Sequence, residues 1–262
     1  MLLVNDMAND VAVLVVSCDK YHDLWKPFFT LFFRYWQDCP YPIYLGSNHS
    51  VYNDSRVKTI TVGDDIDWSH SFRRMLEHIP HKYVIILLED YLVYKHVDTD
   101  RLNKLVYYLK DKKAACLRIF PCPGPHEIRL DNKEVGIIRK GAEYRLSLQS
   151  AIWDKQSLIS LIQDGETPWQ FEVKGSIRTN QMDKLFLSII REIPPPITYF
   201  CTAVLKGKWL RDAVDLCRKE GIEVDLSIRP CETSFDRVRN FAMHDILGRS
   251  LTFLSKWGLK RH

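Results

Sequence analysis

Two runs of the chain are apolar at every position. VAVLVV (residues 11–16) and YVIILL (83–88) show no alternation of wet and dry residues and are rich in β-branched side chains. A strand with one solvated face alternates, whereas a run of this kind is dry on both faces, as in a parallel sheet covered by helices on each side. Parallel strands need a crossover of a dozen or more residues between them. The intervening sequence supplies one: in CDKYHDLWKPFFTLFFRYW (18–36), Leu24, Phe28, Leu31, Phe32 and Tyr35 recur at helical spacing. Pro27 sits near the start of that helix, where proline is tolerated. PIYLGSN (42–48) and VKTITVG (57–63) read as further strands, and DDIDWSHSFRRMLEHIP (64–80) as a capped helix that ends before Pro80. DTDRLNKLVYYLKD (98–111) is a helix with Asp98 or Thr99 as its N-cap, and AACLRIF (114–120) a strand. The alternation predicts an α/β fold with a mostly parallel central sheet flanked by helices and joined by right-handed crossovers.

The second half reads differently. PCPGPHEIRLDNKEVGIIRKG (121–141) carries three prolines and two short polar–apolar alternations, which predict a loop and a hairpin. YRLSLQSAIWD (144–154) reads as a strand and KQSLISLIQ as a helix, and DGETPWQFEVKGS (164–176) as a loop leading into a helix or an extended segment. ITYFCTAVLKGKW (197–209) is strand-like, and LRDAVDLCRKEG (210–221) is a helix closed by Gly221. With no internal repeat and no low-complexity linker, the expectation is a single domain spanning residues 1–262.

The bulk numbers narrow the class. Hydrophobic residues at 46% give enough apolar surface for a large core, and a net charge of +4 is compatible with anionic partners without marking a nucleic-acid binder. Seven cysteines with no C-x-x-C argue for reduced thiols in a cytosolic protein, against a disulfide framework or a zinc site. MLLVNDMANDVAVLVVS lacks a basic flank and makes a poor signal peptide, and no apolar run approaches the roughly 20 residues that span a bilayer. No Walker loop, G-x-G-x-x-G or G-x-S-x-G occurs.

The 83–88 run ends on two carboxylates, Glu89 and Asp90. Ligands of open α/β sheets bind outside the carboxyl ends of the strands. Oxygen ligands there suit Mg²⁺ or Mn²⁺, which neutralises a diphosphate, or they hold sugar hydroxyls directly; the structural alternative is that Asp90 caps a turn and Glu89 is solvated. Asp67 or Ser69 opens the next candidate anion site, a helix N-terminus with Trp68 beside it and Arg73 within two turns.

VVSCDKY, CPYPIYLGSN, ILLEDYLV, YRLSLQSAIW, PWQFEVKGS and VLKGKW, in this order over residues 11–232, resemble a family of bacterial glycosyltransferase-like proteins of capsule and lipopolysaccharide assembly with the GT-A fold. The resemblance implies a nucleotide-sugar-binding half at about 11–120 and an acceptor half at about 121–232; beyond it, 233–262 is expected as a C-terminal helical tail. In GT-A enzymes a strand-ending D-x-D motif binds the metal and the donor; here Glu89-Asp90-Tyr91 stands in that place, so the resemblance implies Mn²⁺ or Mg²⁺ at Asp90, with a tyrosine at the second acidic position. It further implies that Ser17, Asp19 and Tyr21 hold base and ribose, the alternative being a helix cap by Asp19 and a packed Tyr21. Asp67, Trp68, Arg73 and Glu89 would complete the donor site. Glu172, among aromatic residues, is the candidate base that takes the proton of the acceptor hydroxyl, as in inverting enzymes. Trp169, and Arg145, Gln149 and Trp153 of the expected strand, would line the acceptor side.

The resulting expectation is a cytoplasmic hexosyltransferase moving a sugar from a nucleotide-sugar donor to a saccharide or lipid-linked acceptor in surface-polysaccharide synthesis, with no nucleic-acid partner. The alternative is a non-catalytic GT-A-like subunit that binds saccharide or scaffolds a partner. HDILGRSLTFLSKWGLKRH (244–262) has a basic amphipathic pattern suited either to packing on protein or to peripheral contact with the inner face of a membrane.

Overall fold

The structure, a computed structural model, describes residues 10–129 and 131–237. They fall into two compact units, one up to Cys201 and one from Thr202 onward. The amphipathic pattern at 244–262 lies outside the described residues.

The first unit carries strands β1 (Val11–Val16), β2 (Ile43–Ser47), β3 (Val57–Thr61), β4 (Tyr83–Leu88), β5 (Leu92–Val93), β6 (Cys116–Arg118), β7 (Glu127–Arg129), β8 (Asn132–Ile137), β9 (Ala151–Asp154), β10 (Phe186–Ile189) and β11 (Tyr199–Phe200). Its helices are α1 (His22–Tyr35), α2 (Trp68–His78), α3 (Thr99–Asp111), α4 (Lys155–Leu161) and α5 (Pro168–Arg178). Nine strands form one sheet in the order β3-β2-β1-β4-β9-β6-β10-β8-β7. β1 runs parallel to β2 on one side and to β4 on the other, and β6 runs parallel to β10. β9 is inserted antiparallel between β4 and β6, and β7 and β8 form the expected hairpin at the edge. This is the α/β architecture expected, a mostly parallel sheet flanked by helices.

The apolar runs fall where their composition sends them. All six residues of β1 are buried. One layer of the core is the aromatic face of α1, where Phe28, Phe29, Phe32 and Trp36 pack ring on ring. Burying each such side chain stabilises the fold by about 1.5–3 kcal/mol. Elsewhere in the core Phe72, Met75 and Leu76 of α2 join Phe171 of α5.

Two readings of the second half change. Residues 144–150 make no strand; they are a run of turns, and β9 starts only at Ala151. Tyr144 adopts a left-handed φ of 52°, and the carbonyls of Tyr144 and Arg145 both accept from the Arg118 guanidinium. A backbone held that way cannot also offer a ladder edge. Residues 168–178, left open between helix and extended chain, are helical. Thr167 and Gln170 form a complete capping box, with proline at the first turn.

In the second unit, β12 (Val204–Leu205) and β13 (Lys208–Trp209) make a hairpin, followed by α6 (Arg211–Lys219). Lys206 and Gly207 have φ of 51° and 77°, as a two-residue hairpin turn of this hand requires.

Thr167→Ala removes the cap of the helix that carries Glu172. The expected cost is about 1 kcal/mol, read as a lower urea midpoint at unchanged m-value.

Candidate active site

Because β2 and β4 leave β1 on opposite sides, the chain reverses its direction of travel across the sheet between β1 and β4. Their carboxyl ends diverge there and leave a crevice. The loops after β1, β3 and β4 meet the site from this edge. A cleft of ≈ 170 Å³ opens between the first two, lined among others by Ser17, Cys18, Asp65, Asp67, Trp68 and Ser71. The Ser71 hydroxyl is buried and has no hydrogen-bond partner among the described residues.

Of the residues expected at the donor, several are spent on the fold. The Ser17 hydroxyl accepts from the Trp25 indole at 2.8 Å. The Asp19 carboxylate accepts the backbone N–H groups of Asn48, His49 and Ser50, and its own N–H donates to the Asn48 side chain. Asp19 thus ties the loop after β1 to the loop after β2, a clamp in place of the expected ribose contact or helix cap. Tyr21 ends the short turn that leads into α1 and is half-buried. Asp67 is the N-cap of α2, accepting from His70 N–H at 2.8 Å and Ser69 O–H at 2.7 Å. It therefore already occupies the helix N-terminus expected to receive an anion. Trp68 leans on Phe72 and Phe171 but remains half-exposed at the cleft. Arg73 is corrected outright: its guanidinium binds Asp164 and the carbonyls of Ile159 and Ile162, which pins the end of α4 and its following loop and takes it out of the donor site.

At the end of β4, Glu89 is buried and Asp90 half-buried. Burial, and then the charge of Glu89, push the Cys18 thiol up to about 11. Tyr91 turns the other way. It is 4% exposed, stacks on Tyr199 at 4.5 Å between centroids, and donates its hydroxyl to the Leu148 carbonyl. Burial keeps its phenol well above the ordinary value. A neutral, buried phenol committed to a carbonyl cannot serve as the second acidic ligand of a D-x-D motif. Among the described residues no three His, Cys, Asp or Glu side chains gather as a metal-binding group. The carboxylates of Glu89 and Asp90 suit a hard cation only if phosphate oxygens and water complete its shell.

Glu172 lies on the inner face of α5. Its Oε1 accepts from Ser147 O–H at 3.0 Å and Leu148 N–H at 2.7 Å. Burial raises its carboxyl above the ordinary value, opposed in turn by the Leu148 N–H, the Ser147 O–H and the charge of Arg118. A raised carboxyl fixed by two donors at the carboxyl edge of the sheet has the attributes of a general base. On the acceptor side the expectation fares less well. Arg145 is buried over the Phe186 ring and donates to the carbonyls of Ile138 and Thr179. Trp153 is 2% exposed, in the sheet itself, against Phe186, and has no face to offer a sugar. Gln149 is half-buried and accepts from the Tyr199 hydroxyl. Trp169 is 64% exposed on the outer side of α5.

The residues that organise this edge but went unread in the sequence are Tyr91, Arg118, Ser147 and Tyr199. Tyr199 accepts from Ser150 N–H and lies between Tyr91 and Phe120. Of these only Tyr91, next to the carboxylate pair, stands out in the sequence, as a tyrosine at the second acidic position of the motif rather than as a packing residue.

No family model and no curated protein matches the chain. Among solved structures, S. aureus TarS 1–349 is similar at 11% identity over 74% of this chain and 60% of that one, with a TM-score of 0.49. The same S. aureus protein in complex with UDP is similar at 10% identity over 68% and 60%, with a TM-score of 0.45. A Desulfovibrio desulfuricans protein assigned to the nucleotide-diphospho-sugar transferases is similar at 8% identity over 65% and 75%, with a TM-score of 0.39. This chain spans about 60% of the length of the S. aureus fragment. At these scores none of the likenesses decides what the chain does.

Two outcomes test the site's construction. Tyr91→Asp, which restores an acidic residue to the motif position, removes a buried ring and buries a charge; it is expected to destabilise by at least about 3 kcal/mol in denaturant titration. For Asp19, burial alone would raise the carboxyl, but the N–H donors of Ser50, Asn48 and His49 outweigh it and hold it below the ordinary 3.8. A depressed carboxyl contributes stability above its unfolded value, and that contribution is lost as pH falls through the folded one. Asp19→Asn is therefore expected to be less stable by about 1–3 kcal/mol at pH 7, with the difference from wild type closing as both are acidified below pH 3.8.

Proposed function

We propose that the chain is a glycosyltransferase that moves a hexose from a nucleotide-diphosphate sugar to a saccharide or lipid-linked acceptor in bacterial surface-polysaccharide assembly. The observation that carries the reading is Glu172: a half-buried carboxylate with a raised pKa, held by Ser147 and Leu148 at the same sheet edge as Glu89 and Asp90. Tyr91 links the two sets, since it follows Asp90 and its hydroxyl reaches the loop that grips Glu172. The donor's nucleotide lies in the cleft beside Ser17, Cys18, Trp68 and Ser71, with its diphosphate towards Glu89 and Asp90. Asp90 would hold Mn²⁺ or Mg²⁺, which would supply charge neutralisation of the leaving diphosphate.

The reaction is a displacement at the anomeric carbon. The acceptor oxygen forms the new bond, its proton passes to Glu172, and the bond to the diphosphate breaks with its electron pair leaving on the phosphate oxygen. Attack from the face opposite the leaving group inverts the anomeric centre. Work beside a cytoplasmic membrane surface, where a lipid-linked acceptor is presented, fits this chemistry; among the described residues no helix is long and apolar enough to cross a membrane.

A second reading, a GT-A-like subunit that binds saccharide or scaffolds without turnover, draws on Tyr91 in place of the second acidic ligand. Donor hydrolysis by the purified protein separates the two. Calorimetry with UDP, GDP, CDP and dTDP, each with and without Mn²⁺, is expected to detect one of them; binding of none under either condition sinks the transferase reading. Glu172→Gln is expected to lower turnover by about 10²–10⁴-fold at near-wild-type donor affinity. The wild-type acid limb should lie above the ordinary range of a glutamate, since Glu172 must be deprotonated to act.

A further inference from the structure

We infer that Arg118 is a positioning residue for Glu172: from the opposite side of the 144–150 loop it holds that loop in shape and supplies the positive charge that keeps Glu172 available as a carboxylate. The inference rests on the reading of Glu172 as the base.

Arg118 ends β6 and is 1% exposed. A guanidinium so deep in protein needs a strong reason, because its desolvation is costly unless it is paired. Its hydrogen-bond partners among the described residues are neutral: it donates to the carbonyls of Pro123 at 2.5 Å, Tyr144 at 2.7 Å and Arg145 at 3.2 Å. Its Nε is buried with no hydrogen-bond partner among the described residues. The three carbonyls solvate the cation without neutralising it, so its field reaches beyond them.

The loop it grips is the loop that grips Glu172. Tyr144 and Arg145 turn their carbonyls to Arg118, and two to four residues on, Ser147 O–H and Leu148 N–H point to the Glu172 carboxylate. One short segment thus runs between a buried cation and a half-buried anion, with two carbonyl oxygens turned towards the first and a hydroxyl and an N–H towards the second. Either charge favours the loop conformation that serves the other.

The groups around Glu172 come from several elements. Arg118 reaches it from β6, Tyr91 from the turn after β4, and Cys122 from the loop after β6. Burial raises both the Tyr91 phenol and the Cys122 thiol, so both are neutral at neutral pH. Burial also lowers Arg118, but a guanidinium keeps its charge across the working range. Arg118 is therefore the one full charge acting on Glu172 among these neighbours, and it opposes the burial that would keep the proton on.

The test is a ¹³C NMR titration of the full-length protein labelled at glutamate, with the Glu172 signal assigned by its loss in Glu172→Gln. Arg118→Met removes the charge and is expected to move the Glu172 midpoint to higher pH. Arg118→Lys keeps the charge without the fork and is expected to leave the midpoint near wild type. The acid limb of kcat/KM should move in Arg118→Met with the NMR midpoint. An unmoved Glu172 midpoint in folded Arg118→Met overturns the inference, as does an equal shift in the lysine variant, which would mark a merely structural role. If Arg118→Met does not fold, Arg118→Gln retains a donor for a loop carbonyl, lacks the charge and is read in the same way. Wild-type turnover in Glu172→Gln would remove Glu172 as base, whereas the NMR comparison judges its coupling to Arg118 separately.

Discussion

Six consecutive residues of β1 lie in parallel register with six of β4, Val11 against Tyr83 through Val16 against Leu88. Both strands are apolar throughout because helices cover the sheet on both faces, and neither could stand at an open edge. The pairing sets the layout of the larger unit. With β2 and β3 on one side of β1 and β4 on the other, polar chain leaving β1 and β4 is brought to one edge, where it is no longer covered. The carboxylates at 89 and 90 thus follow a dry strand because the strand stops where the sheet meets its crevice.

Once polar groups are gathered at such an edge, the fold itself competes for them. Backbone ends and turns there need partners, and short acidic side chains are the residues best able to supply them. Asp19 satisfies three N–H groups of the neighbouring loop, and Asp67 caps α2. This is why proximity to the edge is a weak guide to chemistry, and why Glu172 stands apart. Its donors leave Oε2 without a hydrogen bond among the described residues, and its environment raises the carboxyl where those of Asp19 and Asp67 are lowered.

The legible parts of the sequence were those whose pattern has one physical solution. The all-apolar 11–16 and 83–88 runs can hardly be anything but buried strands, and the aromatic period of 24–35 can hardly be anything but a packed helix. YRLSLQS failed because Leu146 and Leu148 alternate with polar residues as in a half-wet strand, while the deciding contact, a guanidinium 26 residues upstream in the chain, leaves no local trace. Trp153 was misplaced with it: one strand read too long turned a core residue into a sugar contact. In the sequence α5 stayed open between helix and extended chain although its signal is local. Thr167-Pro168-Trp169-Gln170 is a capping box with proline at its first turn, which outweighs the glycine at 175. Tyr91 was a different failure, because stacking on Tyr199 joins residues 108 apart and no spacing rule reaches that far.

The same competition bears on how a diphosphate could be neutralised at this edge. The arginines nearest to it in the fold are committed: Arg73 to the end of α4, Arg74 to the Val62 carbonyl, Arg118 and Arg145 to loop carbonyls. The N-terminus of α2, which would otherwise offer free N–H groups and a positive dipole end, carries the Asp67 carboxylate. Lys20 stands at the edge, 3.9 Å from Asp65. Asp65 lines the cleft and Glu89 and Asp90 follow β4, while these guanidinium groups are turned to carbonyls. An anionic leaving group entering such a place would meet repulsion unless a cation came with it. On the proposed transferase reading, the acidic strand end would be half of a charge arrangement whose other half arrives with the donor, and with Tyr91 committed to the Leu148 carbonyl that cation would depend on the phosphates it accompanies.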